Sequence, residues 1–239
     1  MDILLPKVSG YDLARYLRQH EAYSTLPILF LTSDAQARVE TMRAGGDDHL
    51  TKPISPSLLL AAISQRLERA TSVQRLIDRD GLTGLLTHSA FQDRSREILN
   101  SCRRFEENRA ALVMLDIDHF KLVNDRYGHA VGDRVLASFA ALLRRSVRNT
   151  DVVGRYGGDE FAFILNDLAQ VDAERIVNRL SSEFSTLAHR ADDGTLFRAT
   201  FSAGIAMAGS AASVEDWKKA ADEAMYLAKT AGRNQVRAA

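Results

Sequence analysis

Residues 155–161 read Arg155-Tyr156-Gly157-Gly158-Asp159-Glu160-Phe161. β-Branched, aromatic and other apolar residues lie on both sides of the two glycines, so the segment from Val152 to Leu165 predicts two short strands joined by a tight turn. The surrounding sequence alternates between helical and strand-like patterns. An antiparallel hairpin inside such an alternation argues against a doubly wound sheet and favours an α+β domain, in which helices surround a central sheet.

Helices and strands flank this hairpin on both sides. Apolar patterns predict helices over 89–105, within 128–148, over 172–187 and over 214–230, and strands over 111–117 and 197–206. On the N-terminal side, Leu82-Thr83-Gly84 breaks a long helical pattern. We therefore expect the C-terminal domain to span residues 81–239.

Carboxylates cluster where predicted strands end. The apolar residues 112–115 should be buried, yet they run directly into Asp116-Ile117-Asp118. Carboxylates at the end of a buried strand are costly unless they are paired or bind a metal. The hairpin adds Asp159 and Glu160 beside glycines that leave room for a ligand. Two such groups of oxygen ligands suit Mg²⁺ with bound phosphates, and the alternative interpretation is an ordinary strand end at the surface.

Five motifs of this region occur in a fixed order. They are Asp116-Ile117-Asp118-His119-Phe120-Lys121, Asn124-Asp125, Gly128-His129, Gly132-Asp133 and the hairpin sequence 155–161. Together they closely resemble the GGDEF family of diguanylate cyclases. The flanking motifs at 80–85, 201–206, 224–229 and 232–234 resemble that family too, although Thr87-His88 replaces its Asn-Arg. The resemblance covers about residues 80–237. It implies a palm-like central sheet surrounded by helices, and an enzyme that condenses two GTP molecules into cyclic di-GMP and two pyrophosphates.

The resemblance also implies metal-binding and catalytic residues. Asp116, the backbone carbonyl of Ile117, Asp159 and Glu160 would bind two Mg²⁺ ions per active site, with Mn²⁺ as a substitute. Asp159 would be the base for the 3′-hydroxyl group of GTP. Glu160 and Lys121 would complete the catalytic set.

Further residues would bind the substrate, again by resemblance. Lys121, Lys229 and Arg233 would contact the phosphates. Asn124 and Asp133 would bind guanine, because a carboxylate accepts from the N1 and N2 donors that adenine lacks. The remaining substrate-binding residues would be Phe120, Gly157 and Gly158.

An Arg-x-x-Asp motif, Arg148-Asn149-Thr150-Asp151, lies just before the hairpin. Many cyclases of the resembled family bind their own product at an inhibitory site in this position, and arginine can bind guanine or phosphate with two parallel hydrogen bonds. We therefore expect product inhibition through Arg148 and Asp151, with Arg179 as a second contact. The alternative is a helix that simply ends in arginine before a turn aspartate.

The reaction itself argues for a homodimer. One half-site holds one GTP, while each 3′-oxygen must reach the α-phosphate of the other nucleotide, so two protomers must face each other. A long helical pattern after Pro56 offers a two-fold axis. Its narrow apolar stripe suits a coiled-coil stalk, and the alternative is an ordinary last helix followed by a linker. The stripe consists of Leu60, Ile63, Leu67, Ala70, Gln74 and Ile77.

The N-terminal segment predicts part of a flavodoxin-like parallel sheet, because strands alternate with helices. It resembles the C-terminal half of a response regulator receiver domain, over residues 1–70, with a helical linker at 71–80. Asp2, Thr32 and Lys52 match that family's phosphorylation-site positions in order. The family's acidic pair at the end of the first strand has no counterpart after Met1, so we expect a truncated receiver with impaired phosphorylation. An upstream histidine kinase is the partner that the resemblance implies for the full-length protein.

Composition restricts the other function classes. Lys and Arg total 31, as do Asp and Glu, so the chain has no basic field for a nucleic-acid backbone. The single cysteine and the lack of a long apolar run predict a cytoplasmic protein without a membrane span. Three alternatives to a cyclase remain. They are a degenerate module that binds GTP or cyclic di-GMP as an effector, a palm-type nucleotidyl enzyme with another substrate, and a dimerising scaffold.

Overall fold

The computed structural model describes residues 1–20, 23–34, 36–105 and 109–239, and over 71–77 it describes the backbone alone. The chain divides into two compact units, Met1–Leu76 and Ile77–Ala239. In the described part of the chain, no helix combines the length and the apolar character that crossing a membrane requires.

The N-terminal unit has the predicted parallel sheet. Its elements are α1 (Gly10–Gln19), β1 (Leu29–Thr32), α2 (Arg38–Arg43), β2 (Asp48–Thr51) and α3 (Pro56–Ile77). Strands β1 and β2 are parallel, and Asp2 forms a further parallel bridge to Leu31. A small core of Ala14, Ile28, Phe30 and Ala44 packs beneath them.

Helix α3 is continuous, as the sequence predicts, and it carries exposed apolar side chains. Leu60 is 65% exposed, Leu67 54% and Ile63 39%. These residues belong to the predicted stripe, whose members Gln74 and Ile77 have side chains outside the described residues. An apolar stripe in water is the expected property of a helix that pairs with a second copy, so the coiled-coil interpretation stays a prediction.

The C-terminal unit is an α+β domain, which confirms the predicted fold class. Its helices are α4 (His88–Arg104), α5 (Phe120–Tyr127), α6 (His129–Ser146), α7 (Gln170–Thr186) and α8 (Val214–Thr230). Its strands are β3 (Ala110–Ile117), β4 (Val152–Arg155), β5 (Glu160–Asn166), β6 (His189–Arg190), β7 (Leu196–Phe197), β8 (Phe201–Met207) and β9 (Val236–Ala238), with a short 3-10 helix at Ala208–Ser210. The predicted hairpin is β4–β5.

Five of these strands form the central sheet, in the order β4-β5-β3-β8-β9. All neighbours are antiparallel except β8 and β9, which are parallel. Alternate residues of β3 face two separate cores. Val113 and Leu115 pack with α6 and α7, whereas Leu112 and Met114 pack with α4 and α8. Because helices cover both faces, β3 is a continuous apolar run and carries polar groups only at its end.

The structure differs from the sequence-based prediction at four places. Helix α5 was not predicted, and two short strands, β6 and the C-terminal β9, were also missed. The single strand predicted over 197–206 is two strands in different sheets. β7 pairs with β6 in a separate two-stranded sheet, residues 198–200 lie outside any strand, and β8 joins the central sheet. At this break the Thr200 carbonyl accepts a hydrogen bond from the Asp118 backbone N–H (2.8 Å), which joins the start of β8 to the end of β3.

Candidate functional site

The carboxylates predicted from the sequence meet at one edge of the central sheet. Asp116, near the end of β3, lies directly opposite Glu160, the first residue of β5. Directly opposed residues of antiparallel strands project to the same face. The backbone N–H of Ile117 donates to the carbonyl of Asp159 (3.3 Å), which brings that residue to the same edge. Two carboxylates thus face each other from adjacent strands, and the turn residue Asp159 adjoins them through its backbone.

The Asp116 carboxylate is largely buried, with 16% of its side chain exposed. Burial raises the pKa of Asp116, and the nearby charges of Asp159 and Glu160 raise it further, while its ion pair with Lys229 lowers it. The Lys229 ammonium group lies 2.9 Å from the Asp116 carboxylate. The net pKa of Asp116 is above its ordinary value, so the folded chain disfavours its ionised form. A bound cation would reverse that preference.

The two glycines of the hairpin turn have different surroundings. The Glu160 carbonyl accepts hydrogen bonds from the backbone N–H groups of Tyr156 (2.8 Å) and Gly157 (3.2 Å). A side chain at Gly157 would crowd the Glu160 carboxylate, whose Oε2 atom would lie 2.9 Å from the added Cβ. At Gly158 an added Cβ would meet open space. Gly157 therefore makes room for the chain's own carboxylate, and Gly158 offers the bare backbone that a bound phosphate could approach.

The donor set fits a magnesium–nucleotide complex better than a closed metal cage. Among the described residues, no three His, Cys, Asp or Glu side chains are grouped closely enough to hold an ion by themselves. Mg²⁺ in phosphoryl-transfer sites usually uses one or two carboxylates and completes its shell with substrate phosphates and water. Asp116 and Glu160, facing each other across β3 and β5, meet that requirement.

An arginine–aspartate pair, to which the sequence patterns gave no role, holds the turn. The Arg155 guanidinium donates to the Gly158 carbonyl (2.8 Å) and to both carboxylate oxygens of Asp80 (3.2 Å each). Burial raises the pKa of Asp80, but hydrogen bonds from Thr83 and Arg155 outweigh it and hold the pKa below its usual range. The pair fastens the turn to the chain segment that enters the domain. Asp80 and Arg155 both lie within motifs that resemble the GGDEF family, at 80–85 and 155–161, and this was the sequence evidence that could have indicated their role.

The residues predicted to bind guanine lie on α5 and α6. The Asn124 side chain packs against Gly132, where an added Cβ would lie 1.9 Å from its Oδ1 atom. The ring of Phe120 contacts the same glycine, with Cζ at 3.1 Å from that Cβ position. Gly132 is followed directly by Asp133, which is exposed. The Asn124 side chain therefore lies against the turn of α6 that carries Asp133. This close contact is possible only because position 132 is a glycine.

The three predicted phosphate contacts come from separate elements. Lys121 is exposed in the first turn of α5, and Lys229 in the last turn of α8 pairs with Asp116. Arg233 follows α8 in a left-handed backbone conformation, with φ at +62°. Its backbone N–H donates to the Ala228 carbonyl (3.1 Å) and so terminates the helix. The structure joins Lys229 directly to the carboxylate edge and leaves the other two cations in solvent.

The aspartate of the Arg-x-x-Asp motif stabilises the loop in which it lies. Asp151 accepts hydrogen bonds from the backbone N–H groups of Arg148 (2.8 Å) and Asn166 (3.0 Å). Arg148 itself is exposed. Arg179 lies on α7, where its nearest carboxylate is Glu183 at 3.9 Å. Asp151 therefore shapes the loop, while the two arginines keep their side chains at the surface.

A cleft of about 430 Å³ lies beside this loop. Its polar lining includes Asn149, Thr150 and Asp151 of the loop and two arginines, Arg79 and Arg94, that sequence reasoning did not single out. These arginines are more than 50 residues away from the loop in sequence, so the sequence pattern could not show that they line the same cleft.

The predicted receiver residues also converge. The Lys52 ammonium group lies 2.5 Å from the Asp2 carboxylate, and this hydrogen bond lowers the pKa of Asp2. The Lys52 backbone N–H donates to the Thr32 carbonyl (2.7 Å). Thr32 is buried at the end of β1. The three residues therefore meet at the carboxyl ends of the parallel strands, where α/β folds place their ligands.

Two family profiles match the chain. The profile described as the diguanylate cyclase GGDEF domain matches residues 77–235, and that of the response regulator receiver domain matches residues 1–64. Response regulator PleD of Caulobacter vibrioides is 34% identical over 95% of the chain and 53% of its own length. The probable diguanylate cyclase DgcC of Escherichia coli is 35% identical over 72% of the chain and 46% of its own length. The chain thus spans about half the length of these curated relatives.

Solved structures resemble the C-terminal unit. The coiled coil and GGDEF domain of DgcB from Caulobacter crescentus, in complex with c-di-GMP, aligns with a TM-score of 0.69 at 30% identity and covers 77% of this chain and 96% of that one. The GGDEF domain of PA1120 from Pseudomonas aeruginosa aligns with a TM-score of 0.64 at 36% identity and covers 67% of this chain and 94% of that one.

Proposed function

Because this chain belongs to the GGDEF family of diguanylate cyclases and carries a response regulator receiver segment ahead of that domain, we propose that it condenses two GTP molecules into cyclic di-GMP. The observation that carries the proposal is the carboxylate edge, where Asp116 faces Glu160 across adjacent strands and Lys229 lies 2.9 Å away. This pairing of oxygen ligands with a cation suits phosphoryl transfer, in which positioning and charge stabilisation provide most of the catalysis.

In the proposed reaction the 3′-oxygen of one GTP attacks the α-phosphate of the other. The bond from that phosphorus to the bridging oxygen of the β-phosphate breaks, and pyrophosphate leaves; the second nucleotide then reacts in the same way. Two bound Mg²⁺ ions, held by Asp116, the Ile117 carbonyl, Asp159 and Glu160, would supply positive charge to the phosphates and acidify the attacking hydroxyl group. Asp159 accepts the hydroxyl proton. Lys121, Lys229 and Arg233 stabilise the charge that develops on the phosphates.

The proposed assembly is a homodimer. Each chain supplies one carboxylate edge and one guanine-binding surface, so closing the cyclic product requires a second chain with its own GTP. The exposed apolar residues of α3 supply a surface through which two copies could pair, and pairing there would raise the effective concentration of the two catalytic domains.

On the same proposal, the chain is the output part of a two-component system. Residues 1–70 form the receiver segment, 71–80 the helical linker and 81–239 the cyclase domain. The ion pair between Asp2 and Lys52 and the hydrogen bond from the Lys52 N–H to the Thr32 carbonyl support the assignment of these three residues to a phosphorylation site. The partner implied for the full-length protein is a histidine kinase.

Guanine recognition gives the first prediction. Gly132→Ala should weaken GTP binding roughly tenfold or more, because the new methyl group overlaps Asn124 and overpacking typically costs about 1–3 kcal/mol. The clashing Oδ1 atom lies at the end of the Asn124 side chain, so this side chain should move away while the fold remains. The measurement is the KM for GTP, with thermal unfolding as a check on the fold. Adding Gly132→Ala to Asn124→Ala should cost little more; a full additional loss would contradict the assignment.

Product inhibition gives the second prediction. Arg148→Ala should relieve inhibition by cyclic di-GMP while leaving the initial rate unchanged, because Arg148 lies in a surface loop beside a polar cleft. We expect the inhibition constant to rise at least about tenfold, the usual consequence of losing a charge-assisted contact. Arg145→Ala, which removes an exposed arginine from the end of α6, is the matched control. Identical inhibition curves for Arg148→Ala and the wild type would exclude the site.

The effector alternative makes a different prediction from the cyclase. Purified protein incubated with GTP and Mg²⁺ should yield cyclic di-GMP, identified by chromatography and mass spectrometry, and EDTA should prevent its formation. An effector would bind nucleotide and release no product. If no product forms, fusion to a coiled-coil dimerisation domain separates the two explanations. Product after forced dimerisation supports the cyclase, and continued absence supports the effector.

A further inference from the structure

Asp118 is a buried carboxylate that the proposed reaction does not use. It is only 6% exposed and lies two residues after Asp116. Its Oδ2 atom accepts hydrogen bonds from the Thr200 hydroxyl (2.7 Å) and the Asn234 backbone N–H (3.0 Å). Its Oδ1 atom accepts from the Ser202 hydroxyl (2.7 Å). Three of about four acceptor positions of the carboxylate are therefore occupied within the protein, which makes it a poor candidate for a metal ligand.

These hydrogen bonds join three chain segments. Asp118 itself follows β3, Thr200 immediately precedes β8, Ser202 lies near the start of β8, and Asn234 follows α8. The Asp118 backbone N–H adds a bond to the Thr200 carbonyl (2.8 Å). A charged group is buried only where such partners compensate its lost hydration, so the three segments are fixed with respect to one another at this point.

The segment after α8 has an unusual backbone. Gly232, Arg233 and Asn234 all have positive φ angles, of 113°, 62° and 48°. Left-handed conformations are unfavourable for residues other than glycine and persist where surrounding contacts enforce them. The contacts here include the bond from the Arg233 N–H to the Ala228 carbonyl (3.1 Å), the bond from the Asn234 N–H to Asp118, and a longer bond from the Ser181 hydroxyl to the Asn234 side chain (3.4 Å). Asp118 is therefore one of the groups that hold the turn carrying Arg233.

We propose that Asp118 is a positioning residue, which holds Arg233 beside the carboxylate edge for contact with the GTP phosphates. The inference rests on the proposed function, because it assigns Arg233 to the phosphates. Asp118 makes no contact with substrate. It links the end of β3, which carries Asp116, to the turn after α8, which carries Arg233. The metal ligand and the phosphate ligand thereby keep one fixed spacing.

The test compares two ways of breaking the link with two matched controls. Asp118→Ala removes the acceptor. Asn234→Pro removes the donor at an exposed position, and its fixed negative φ angle also breaks the left-handed backbone of this turn at residue 234 and disfavours it at Arg233. Asn234→Gly keeps both the N–H group and the positive φ, and Ser202→Ala removes a different bond of Asp118. The measurement is equilibrium binding of a non-hydrolysable GTP analogue with Mg²⁺, in each variant alone and combined with Arg233→Ala.

We expect Asp118→Ala and Asn234→Pro to weaken analogue binding roughly tenfold, and both controls to stay near the wild type. In the Arg233→Ala background the two damaging variants should cause no further loss, because the residue on which they act is gone. An equal loss in both backgrounds would overturn the proposal, as would normal binding by Asn234→Pro. If Asp118→Ala does not fold, Asn234→Pro still tests the proposal, because it changes an exposed residue and leaves the buried Asp118 in place.

Amide hydrogen exchange separates this proposal from the cyclase assignment. The Asn234 amide should be protected in the wild type and should exchange faster in Asp118→Ala, whether or not the protein turns over GTP. A wild type that binds the analogue but forms no cyclic di-GMP would contradict the proposed reaction and leave the positioning test readable. An unprotected Asn234 amide in the wild type would overturn the positioning role itself.

Discussion

Asp116→Asn is expected to abolish cyclic di-GMP synthesis while the fold remains intact. The substitution keeps the size of the side chain but removes the charge that faces Glu160 and pairs with Lys229. A metal ion contributes several kcal/mol of transition-state stabilisation, so losing a ligand carboxylate should lower kcat/KM by on the order of 10³-fold or more. The measurement is the initial rate of product formation at saturating Mg²⁺. Raising the Mg²⁺ concentration should recover part of the activity.

The matched control is Asp172→Asn. Asp172 lies in the first turn of α7 and pairs with Arg175 at the protein surface (2.9 Å). Removing its charge should leave the rate within about twofold of the wild type, because exposed ion pairs contribute little to stability or function. Wild-type turnover in Asp116→Asn would remove the metal assignment and with it the proposed use of the carboxylate edge.

Asp116 also illustrates a cost in stability at the proposed active site. Burial raises its pKa, so the folded chain holds the proton more tightly than the unfolded chain does. For a carboxylate shifted in this direction, stability falls as the pH rises through the folded pKa, and the cost persists at neutral pH. Asp116→Asn should therefore be no less stable than the wild type at neutral pH. Its advantage should shrink as the pH falls through the raised folded pKa of Asp116 and should be gone once the pH is below the ordinary pKa of an aspartate.

The strongest features of the fold were predictable because they depend on local patterns. The hairpin of β4 and β5 has two glycines between apolar segments, and α8 begins and ends where its periodicity indicates, at Val214 and Thr230. The carboxylate edge followed from Asp116 at the end of an apolar strand. In each case neighbours in sequence carry the information, so tertiary context was not needed.

The missed features depend on contacts between distant parts of the chain. Helix α5 begins after His119, which has a left-handed backbone (φ +57°) that no sequence periodicity predicts. Strand β9 has three residues and becomes a strand only by pairing with β8. The bonds from Arg155 to Asp80 span 75 residues, and that from Asn234 to Asp118 spans 116. The sequence shows that these residues belong to motifs, but only the fold shows which of them contact and position one another.

The packing of α8 against the sheet leads to the second large expected effect. At Gly204, in the middle of β8, an added Cβ would lie 2.0 Å from the Ala221 carbonyl oxygen and 2.3 Å from the Met225 backbone nitrogen. Both atoms belong to the backbone of α8, so no side-chain rotation can relieve the clash. The helix faces the strand with small residues, Ala221, Ala224 and Ala228, all of them buried. This close approach also places Lys229 at the carboxylate edge.

Gly204→Ala should therefore destabilise the C-terminal unit by about 3 kcal/mol or more, at the upper end of the usual cost of overpacking. For a chain of this size the midpoint of thermal unfolding should fall by roughly 6–12 °C. Trp217 is the only tryptophan, and its indole N–H donates to the Ala206 carbonyl of β8 (2.8 Å), so its fluorescence reports on this helix–strand contact directly. Gly209→Ala, where the added Cβ meets open space, is the control and should stay within about 0.5 kcal/mol of the wild type. Superimposable unfolding curves for Gly204→Ala and the wild type would show that α8 can move away from the sheet, and activity in that variant would then show that the position of Lys229 is not critical.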